Sequence, residues 1–106
     1  MQNEATFHII GRVSRKNVRD KVVFLNVAVN RKYKDDHDKW HETAVFLSVT
    51  FFQNRKWAEA QETGSLVRIS GYIVPSEHKS DGEIIYKTDM VARRSAILCK
   101  AQQADE

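Results

Sequence analysis

The sequence predicts an all-β protein whose five strands form a small, partly open Greek-key barrel, with one short helix between the third and fourth strands. Apolar and polar side chains alternate along residues 22–33 and 42–52, which is typical of strands with one buried face. Residues 54–64 break this two-residue period and are rich in helix formers. Gly71 lies inside a further alternating segment, where a glycine usually marks a bulge, a tight bend or the close approach of another backbone.

The order of the elements follows from these patterns and from the turn residues between them. We expect strands at residues 6–13, 22–33, 42–52, 65–74 and 83–92. The predicted connections are residues 14–21, 34–41 and 75–82, with a turn at Asp81-Gly82, and residues 93–98 either continue the last strand or pack beside it. Asn54 is predicted to cap the start of the helix, and Gly64 to end it in the left-handed conformation.

Two sets of alternate residues are continuously apolar and are predicted to face the core. They are Val23, Leu25, Val27 and Val29 in the second strand, and Val45, Leu47, Val49 and Phe51 in the third. Trp57, on the helix, is predicted to pack on this core. Five strands with a helix between the third and fourth is the arrangement of the OB-fold, and Gly11 and Gly71 suit its sharp bends. Residues 1–99 are predicted to form this domain and residues 100–106 a short polar tail.

Composition bounds the functional class. The chain has 106 residues, a net charge of +3 and one cysteine, Cys99, so no intrachain disulfide is possible. Neither a signal peptide nor an apolar run of membrane-spanning length is visible, and we expect a cytoplasmic, nucleoid-associated protein without a membrane partner. His37 and His41 have a spacing that would suit a metal only on a helix, so neither a metal nor a cofactor is predicted.

Several segments resemble the bacterial-type single-stranded DNA-binding proteins. The resemblance runs roughly from Phe7 to Leu98 and is carried by "FHIIGRV", "VVFLNVAVNRKY", "VFLSVTFF", "WAEAQETGSLVRISGYI" and "GEIIYKTDMVA" in that order. It implies binding of single-stranded DNA and a homo-oligomer, usually a tetramer, with replication or repair proteins as further partners. Family members usually continue into a glycine-rich linker and an acidic tip, whereas this chain stops at "QQADE". The sequence leaves open whether this chain is a tailless relative or a truncated domain.

The resemblance and the local pattern together predict aromatic residues that stack on bases. Tyr33 matches an aromatic position at the tip of the second strand, Phe46 and Phe52 match positions in the third, and His78 falls where the family often has tryptophan. Trp40, in a charged loop, and Tyr72 are further candidates. The alternatives are core packing for Phe52, surface packing for Trp40, and a cross-strand pair with Tyr86 for Tyr72.

Basic residues near these aromatics are predicted to bind phosphates. They are Arg31, Lys32, Lys34, Arg12, Lys16 and Lys21. The alternation of basic and aromatic residues around Tyr33 is the strongest local feature of this kind. Lys21 has the alternative of protecting a sheet edge against aggregation.

Four functions fit the sequence to different degrees. The first is sequence-independent binding and protection of single-stranded DNA in replication, recombination or repair. The second is a primosomal-type small OB-fold module that acts mainly by protein docking and binds single strands weakly. RNA binding is a third, because stacking surfaces do not distinguish the sugar. A hydrolase is the most distant, since no nucleophile–base pair or paired catalytic carboxylates stand out, and we predict no enzymatic activity.

Overall fold

The strands of the protein close into a barrel in the order β1-β2-β3-β5-β4, which confirms the predicted fold. The computed structural model describes residues 4–101, except the side chain of His78, so most of the predicted tail at 100–106 lies outside the described residues. The elements are β1 (Thr6–Val18), β2 (Val23–Lys34), β3 (Trp40–Phe51), α1 (Arg55–Ala60), β4 (Leu66–Ser80) and β5 (Glu83–Cys99). Neighbouring strands are antiparallel except β3 and β5, which pair in parallel at Val49–Met90 and Thr50–Val91.

The core consists largely of the residues that alternate along β2 and β3. Val23, Leu25, Val27, Val49 and Phe51 are almost completely buried, as predicted, and Val29 and Leu47 are half-buried against them. The prediction for Val45 is wrong, because 44% of this residue is exposed where the β2–β3 hairpin leaves the barrel. Trp57 packs on the core as predicted, with its ring centroid 5.8 Å from that of Phe51.

Most of two predicted connections turns out to be strand, and the third, at residues 34–41, shortens to residues 35–39, so that Trp40 begins β3 and does not lie in a loop. Residues 14–18 continue β1 beyond a bulge between Val13 and Arg15 and pair with β2. Residues 75–80 continue β4 and pair with β5 as far as Ser80 and Glu83, so only the predicted Asp81-Gly82 turn separates the two strands. Residues 93–98 continue β5. The polar connections were misassigned because a hairpin outside the core buries neither face and therefore lacks alternating hydrophobicity.

The helix is shorter than predicted. Asn54 is its N-cap residue, but this asparagine has a φ of 56° and makes no side-chain capping hydrogen bond. The chain leaves the helix at Gln61 in an extended conformation, so Gly64, with a φ of 96°, lies in the turn before β4 and does not end the helix. No helix within residues 4–101 is long and apolar enough to cross a membrane.

Gly71 lies where the backbones of β4 and β5 come closest. A β-carbon built at Gly71 would overlap the carbonyl oxygen of Val91, and the β4–β5 register shifts between Ser70 and Gly71. At Gly11 a β-carbon would lie 2.5 Å from the carbonyl oxygen of Ala28 on β2. Of the alternatives for an interior glycine, the structure has a close approach at both positions and a bulge at Gly71, while the bends suggested for the two glycines stay a prediction.

Candidate nucleic-acid interface

The β2–β3 hairpin projects beyond the barrel and carries most of the predicted binding residues. Its register runs without a shift from the Val23–Phe51 pair to the Lys34–Trp40 pair. Beyond the Val29–Val45 pair, side chains on both faces of the hairpin are exposed, apart from the half-buried Asp35 at its tip. Two strands that pack on no core are only marginally stable, so the side chains at the tip must stabilise this part of the hairpin.

Asp35 organises the five-residue connection between β2 and β3. Its Oδ1 accepts hydrogen bonds from the backbone N–H groups of His37 and Lys39 at 2.8 and 2.9 Å. Its Oδ2 lies 2.6 Å from Nε2 of His41. The pKa of the Asp35 carboxyl is lowered, chiefly by the hydrogen bond to His41 and further by the two backbone N–H groups. Within residues 4–101, no three His, Cys, Asp or Glu side chains come together as a metal site.

The two faces of the hairpin carry different aromatic residues. On one face, Tyr33 stacks on His41, with ring centroids 5.3 Å apart and ring planes inclined by 22°. On the other face, the Lys34 ammonium lies 5.9 Å from the centroid of the Trp40 ring. Alternation along the strands places Phe46 on the Trp40 face, so the structure does not bring Tyr33 and Phe46 onto one surface.

Three exposed aromatic residues follow one another along β3 at intervals of six residues. They are Trp40, Phe46 and Phe52, with exposures of 70%, 64% and 59%, and we call them the β3 aromatic track. The even spacing puts Trp40 and Phe46 on the outer face of β3, roughly 20 Å apart along the strand. Phe52 directly follows β3, and its exposure argues against the alternative of core packing. Phe46 pairs with Ala28 on β2, so its direct cross-strand neighbour is a small side chain.

The predicted phosphate-binding residues separate into three places. Arg31, Lys32 and Lys34 lie on the hairpin, where Lys32 is opposite Glu42. Lys21 lies in the turn before β2, at the far end of a 12-residue strand and so roughly 40 Å from Lys34.

Arg12 and Lys16 already have partners inside the protein. A guanidinium nitrogen of Arg12 donates to the carbonyl oxygen of Gly64 at 2.8 Å. The Lys16 ammonium donates to the carbonyl oxygens of Glu59 and Gln61 at 2.6 and 3.3 Å. These carbonyls lie at the C-terminal end of α1, where a cation is favourable.

The β4–β5 hairpin carries the remaining candidates. Tyr72 is 40% exposed and pairs with Thr6 and Val91, while Tyr86 pairs with Glu77. The prediction that Tyr72 and Tyr86 are cross-strand neighbours is therefore wrong, because the two-residue turn at Asp81-Gly82 fixes the register and separates them. Tyr86 is 70% exposed and was not among the predicted site residues. The side chain of His78 lies outside the described residues.

Comparisons with known proteins agree with the fold and with the order of its motifs. The model of the Single-strand binding protein family matches residues 5–98. No curated protein sequence matches the chain significantly. Among solved structures, the chain is similar to a Plasmodium falciparum SSB in complex with single-stranded DNA, with a TM-score of 0.73 and 14% identity over 92% of this chain and 97% of that one.

Two bacterial structures are similar as well. A deletion mutant of the single-stranded DNA-binding protein from Thermus aquaticus has a TM-score of 0.75 and 20% identity, over 88% of this chain and 49% of that one. The small single-stranded DNA-binding protein from Streptomyces coelicolor has a TM-score of 0.65 and 18% identity, over 91% of this chain and 95% of that one. At these sequence identities, the similarity to the solved structures shows the fold alone. The family model, in contrast, matches nearly all of the sequence. The chain therefore belongs to the single-strand binding protein family.

Proposed function

We propose that the protein binds single-stranded DNA without sequence preference. The observation that carries this proposal is the β3 aromatic track, two exposed rings on β3 and a third directly after it. Stacking of a base on an aromatic ring contributes about 1–3 kcal/mol and tolerates any base. Membership of the single-strand binding protein family and the likeness to an SSB that was solved with single-stranded DNA support the same function.

The mechanism is binding without catalysis. Bases stack on Trp40, Phe46 and Phe52, and Tyr33 offers a further ring on the opposite face of the hairpin. Arg31, Lys32 and Lys34 attract the phosphates of the same strand, so affinity falls as salt rises. A strand held in this way cannot re-anneal or enter a nuclease, which suits replication, recombination or repair and contact with the proteins of those pathways.

We further propose a homo-oligomer, either a dimer or a tetramer. Residues 6–11 of β1 pair with β4 on one side, whereas pairing with β2 begins only at Arg12. Within residues 4–101, the second edge of this segment has no strand partner. An open edge can accept the same edge of a second copy around a twofold axis. Light scattering at several protein concentrations measures the mass, and a monomer at every concentration contradicts this part of the proposal.

Fluorescence titration with oligo(dT) tests the function. Trp57 packs in the core, so a Trp57→Phe variant leaves Trp40 as the only tryptophan and as the reporter of the track. We expect strong quenching by oligo(dT) that weakens at high salt, with little response to a duplex. In this background Phe46→Ala should weaken binding about 5- to 150-fold, which is the loss of one stack. The matched control is Val18→Ala, which truncates an exposed apolar residue away from the hairpin.

Two results of this titration would contradict the proposed function. Equal affinity for duplex and single strand would contradict the stacking mechanism. Absence of binding to oligo(dT) at low salt would favour the protein-docking module, for which the exposed Ile84 and Tyr86, on one face of the β4–β5 hairpin, offer an apolar surface. A parallel titration with oligo(rU) separates DNA from RNA preference.

A further inference from the structure

Two asparagine side chains lie on the outer face of β2, on either side of Ala28. They are Asn26 and Asn30, which are four residues apart and therefore point to the same side of the sheet. Asparagine is depleted in strands, because its amide competes with the backbone for hydrogen bonds. Two asparagines on one face of a strand therefore call for a reason other than strand formation.

Phe46, the central ring of the β3 aromatic track, lies between these two asparagines. Ala28 pairs directly with Phe46, so Asn26 and Asn30 are the diagonal neighbours of Phe46 on β2. Diagonal neighbours in an antiparallel pair lie roughly 7–8 Å apart between Cα atoms. Since 64% of Phe46 is exposed, the ring is open to a ligand that also contacts these neighbours.

The residues beside Phe46 leave room for a flat base. On each side, an asparagine of β2 pairs with a small residue of β3, which is Ser48 for Asn26 and Ala44 for Asn30. These pairs lie roughly 7 Å from Phe46 along the strand, and side chains stand roughly perpendicular to the sheet. A base that stacks on either face of the Phe46 ring therefore lies over one of the two pairs, with an amide beneath its edge.

The two amides are available to such a ligand. Within residues 4–101, no side-chain hydrogen bond joins Asn26 or Asn30 to another residue. Asn30 is exposed and Asn26 is half-buried. A base stacked above an amide displaces its water, which is unfavourable unless the base replaces the lost hydrogen bonds. The ligand that covers this face must therefore offer donors and acceptors of its own.

An asparagine amide suits the edge of any base. Its carbonyl oxygen accepts and its NH₂ group donates, and rotation of the amide exchanges the two positions. The Watson–Crick edge of every DNA base carries both a donor and an acceptor. A carboxylate at the same position would only accept and an ammonium would only donate, so each would favour some bases over others.

We infer that Asn26 and Asn30 hydrogen-bond the edge of a base stacked on Phe46, and that rotation of their amides keeps this contact free of base preference. The inference rests on the proposed function, because the base must first stack on the ring. The base is then held by its face and by its edge. Asparagine at these two positions explains how a polar contact is added to the stack without sequence specificity.

The test measures the affinities of variants for oligo(dT) and oligo(dC) of the same length. Asn26→Ala and Asn30→Ala should each weaken both oligonucleotides about two- to twelvefold, the range of one hydrogen bond, without changing their ratio. Asn30→Asp keeps the shape of the side chain but only accepts. Cytosine offers an amino group to a carboxylate, whereas the single N–H of thymine lies between two carbonyls. The ratio of affinities should therefore shift about two- to twelvefold towards oligo(dC).

Two controls isolate the contact with the base. Asn17→Asp adds the same charge to an exposed strand asparagine, which pairs with Phe24 and not beside Phe46. This variant should keep the ratio of the parent. In a Phe46→Ala background, Asn30→Asp should no longer shift the ratio, because no base is stacked beside the carboxylate.

The outcomes separate this inference from the proposed function. If Phe46→Ala weakens both oligonucleotides but the two alanine variants bind them like the parent, the edge contact is wrong and the function stands. The inference also fails if Asn30→Asp keeps the ratio of the parent, or if Asn17→Asp shifts it as much, since the shift would then be a general effect of charge. If the parent protein binds neither oligonucleotide, both proposals fall.

Discussion

Tyr33 and His41 face each other across the β2–β3 hairpin with their ring centroids 5.3 Å apart, and His41 is in turn held by Asp35 at 2.6 Å. One face of the Tyr33 ring is therefore occupied by a ring of the protein itself. The other face remains for a ligand, since 48% of Tyr33 is exposed. This contact fixes the tyrosine before DNA arrives, which lowers the entropy lost on stacking.

Truncation of His41 should weaken DNA binding through Tyr33. A stacked aromatic pair contributes about 0.5–1.5 kcal/mol, so we expect His41→Ala to reduce the affinity for oligo(dT) about two- to twelvefold. His41→Phe keeps the ring but loses the hydrogen bond to Asp35, so its affinity should lie between those of the parent and His41→Ala. In a Tyr33→Ala background, His41→Ala should have a smaller effect than in the parent. Additive losses in this double-mutant cycle would mean that His41 acts independently of Tyr33.

The tip of the hairpin should lose its order in acid. The carboxyl of Asp35, whose pKa is lowered in the folded tip, stabilises the tip at pH values above the ordinary pKa of aspartate. This stabilisation is lost as the pH falls through the lowered pKa. We expect the Trp40 fluorescence of the Trp57→Phe variant to change only below about pH 4, the ordinary pKa of aspartate, as Asp35 becomes protonated. Asp35→Asn should show the acid signal already at neutral pH.

The control for this pH titration is a neighbouring aspartate. Asp36 is exposed and follows Asp35 directly, so Asp36→Asn removes the same charge without removing the hydrogen bond to His41. Its titration should match that of the parent. A transition of the same size in Asp35→Asn and in the parent would show that other groups determine the order of the tip.

The sequence predicts the parts of this protein that the core determines. Val23, Leu25 and Val27 alternate because one face of β2 is buried, and that burial is visible as a pattern. The polar ends of β1 and β4 bury neither face, so their strand structure depends on the pairing partner and leaves no pattern. Asn54 occupies the predicted N-cap position, but in its left-handed conformation the side chain makes no capping hydrogen bond, which the residue type alone does not reveal.

The site is less predictable than the fold because it depends on register. The exposed Phe46 could be recognised by its position on a polar strand face, and the exposed Trp40 by its charged neighbours in the sequence. The Tyr33–His41 contact could not, since it requires the five-residue connection that sets the pairing of β2 with β3. The outward position of Arg94 could not be predicted either, because the bulge residue Arg93 turns Arg94 from the core side to the outside.

A side chain at Gly71 should destabilise the barrel. The β-carbon of Gly71→Ala would overlap the backbone of Val91, and a paired strand cannot move away as a flexible side chain can. We expect a loss of about 1–3 kcal/mol or more in the free energy of unfolding, measured by urea denaturation. Thr88→Ala, an exposed substitution in the same pair of strands, should remain within about 0.5 kcal/mol of the parent. Equal midpoints and slopes for the two variants would contradict the close approach.

Lys16 should contribute to folding and not to DNA binding, although the sequence suggested a phosphate contact. Its ammonium donates to two carbonyls at the end of α1, where a cation contributes about 0.3–1 kcal/mol. Lys16→Gln should therefore lower the free energy of unfolding by that amount and leave the salt dependence of oligo(dT) binding unchanged. Lys34→Gln should do the reverse, lowering the salt slope by about 0.7 with little change in stability. A smaller salt slope in Lys16→Gln would contradict this prediction and would show that Lys16 contacts DNA. The bound single-stranded DNA would then extend from the hairpin towards α1.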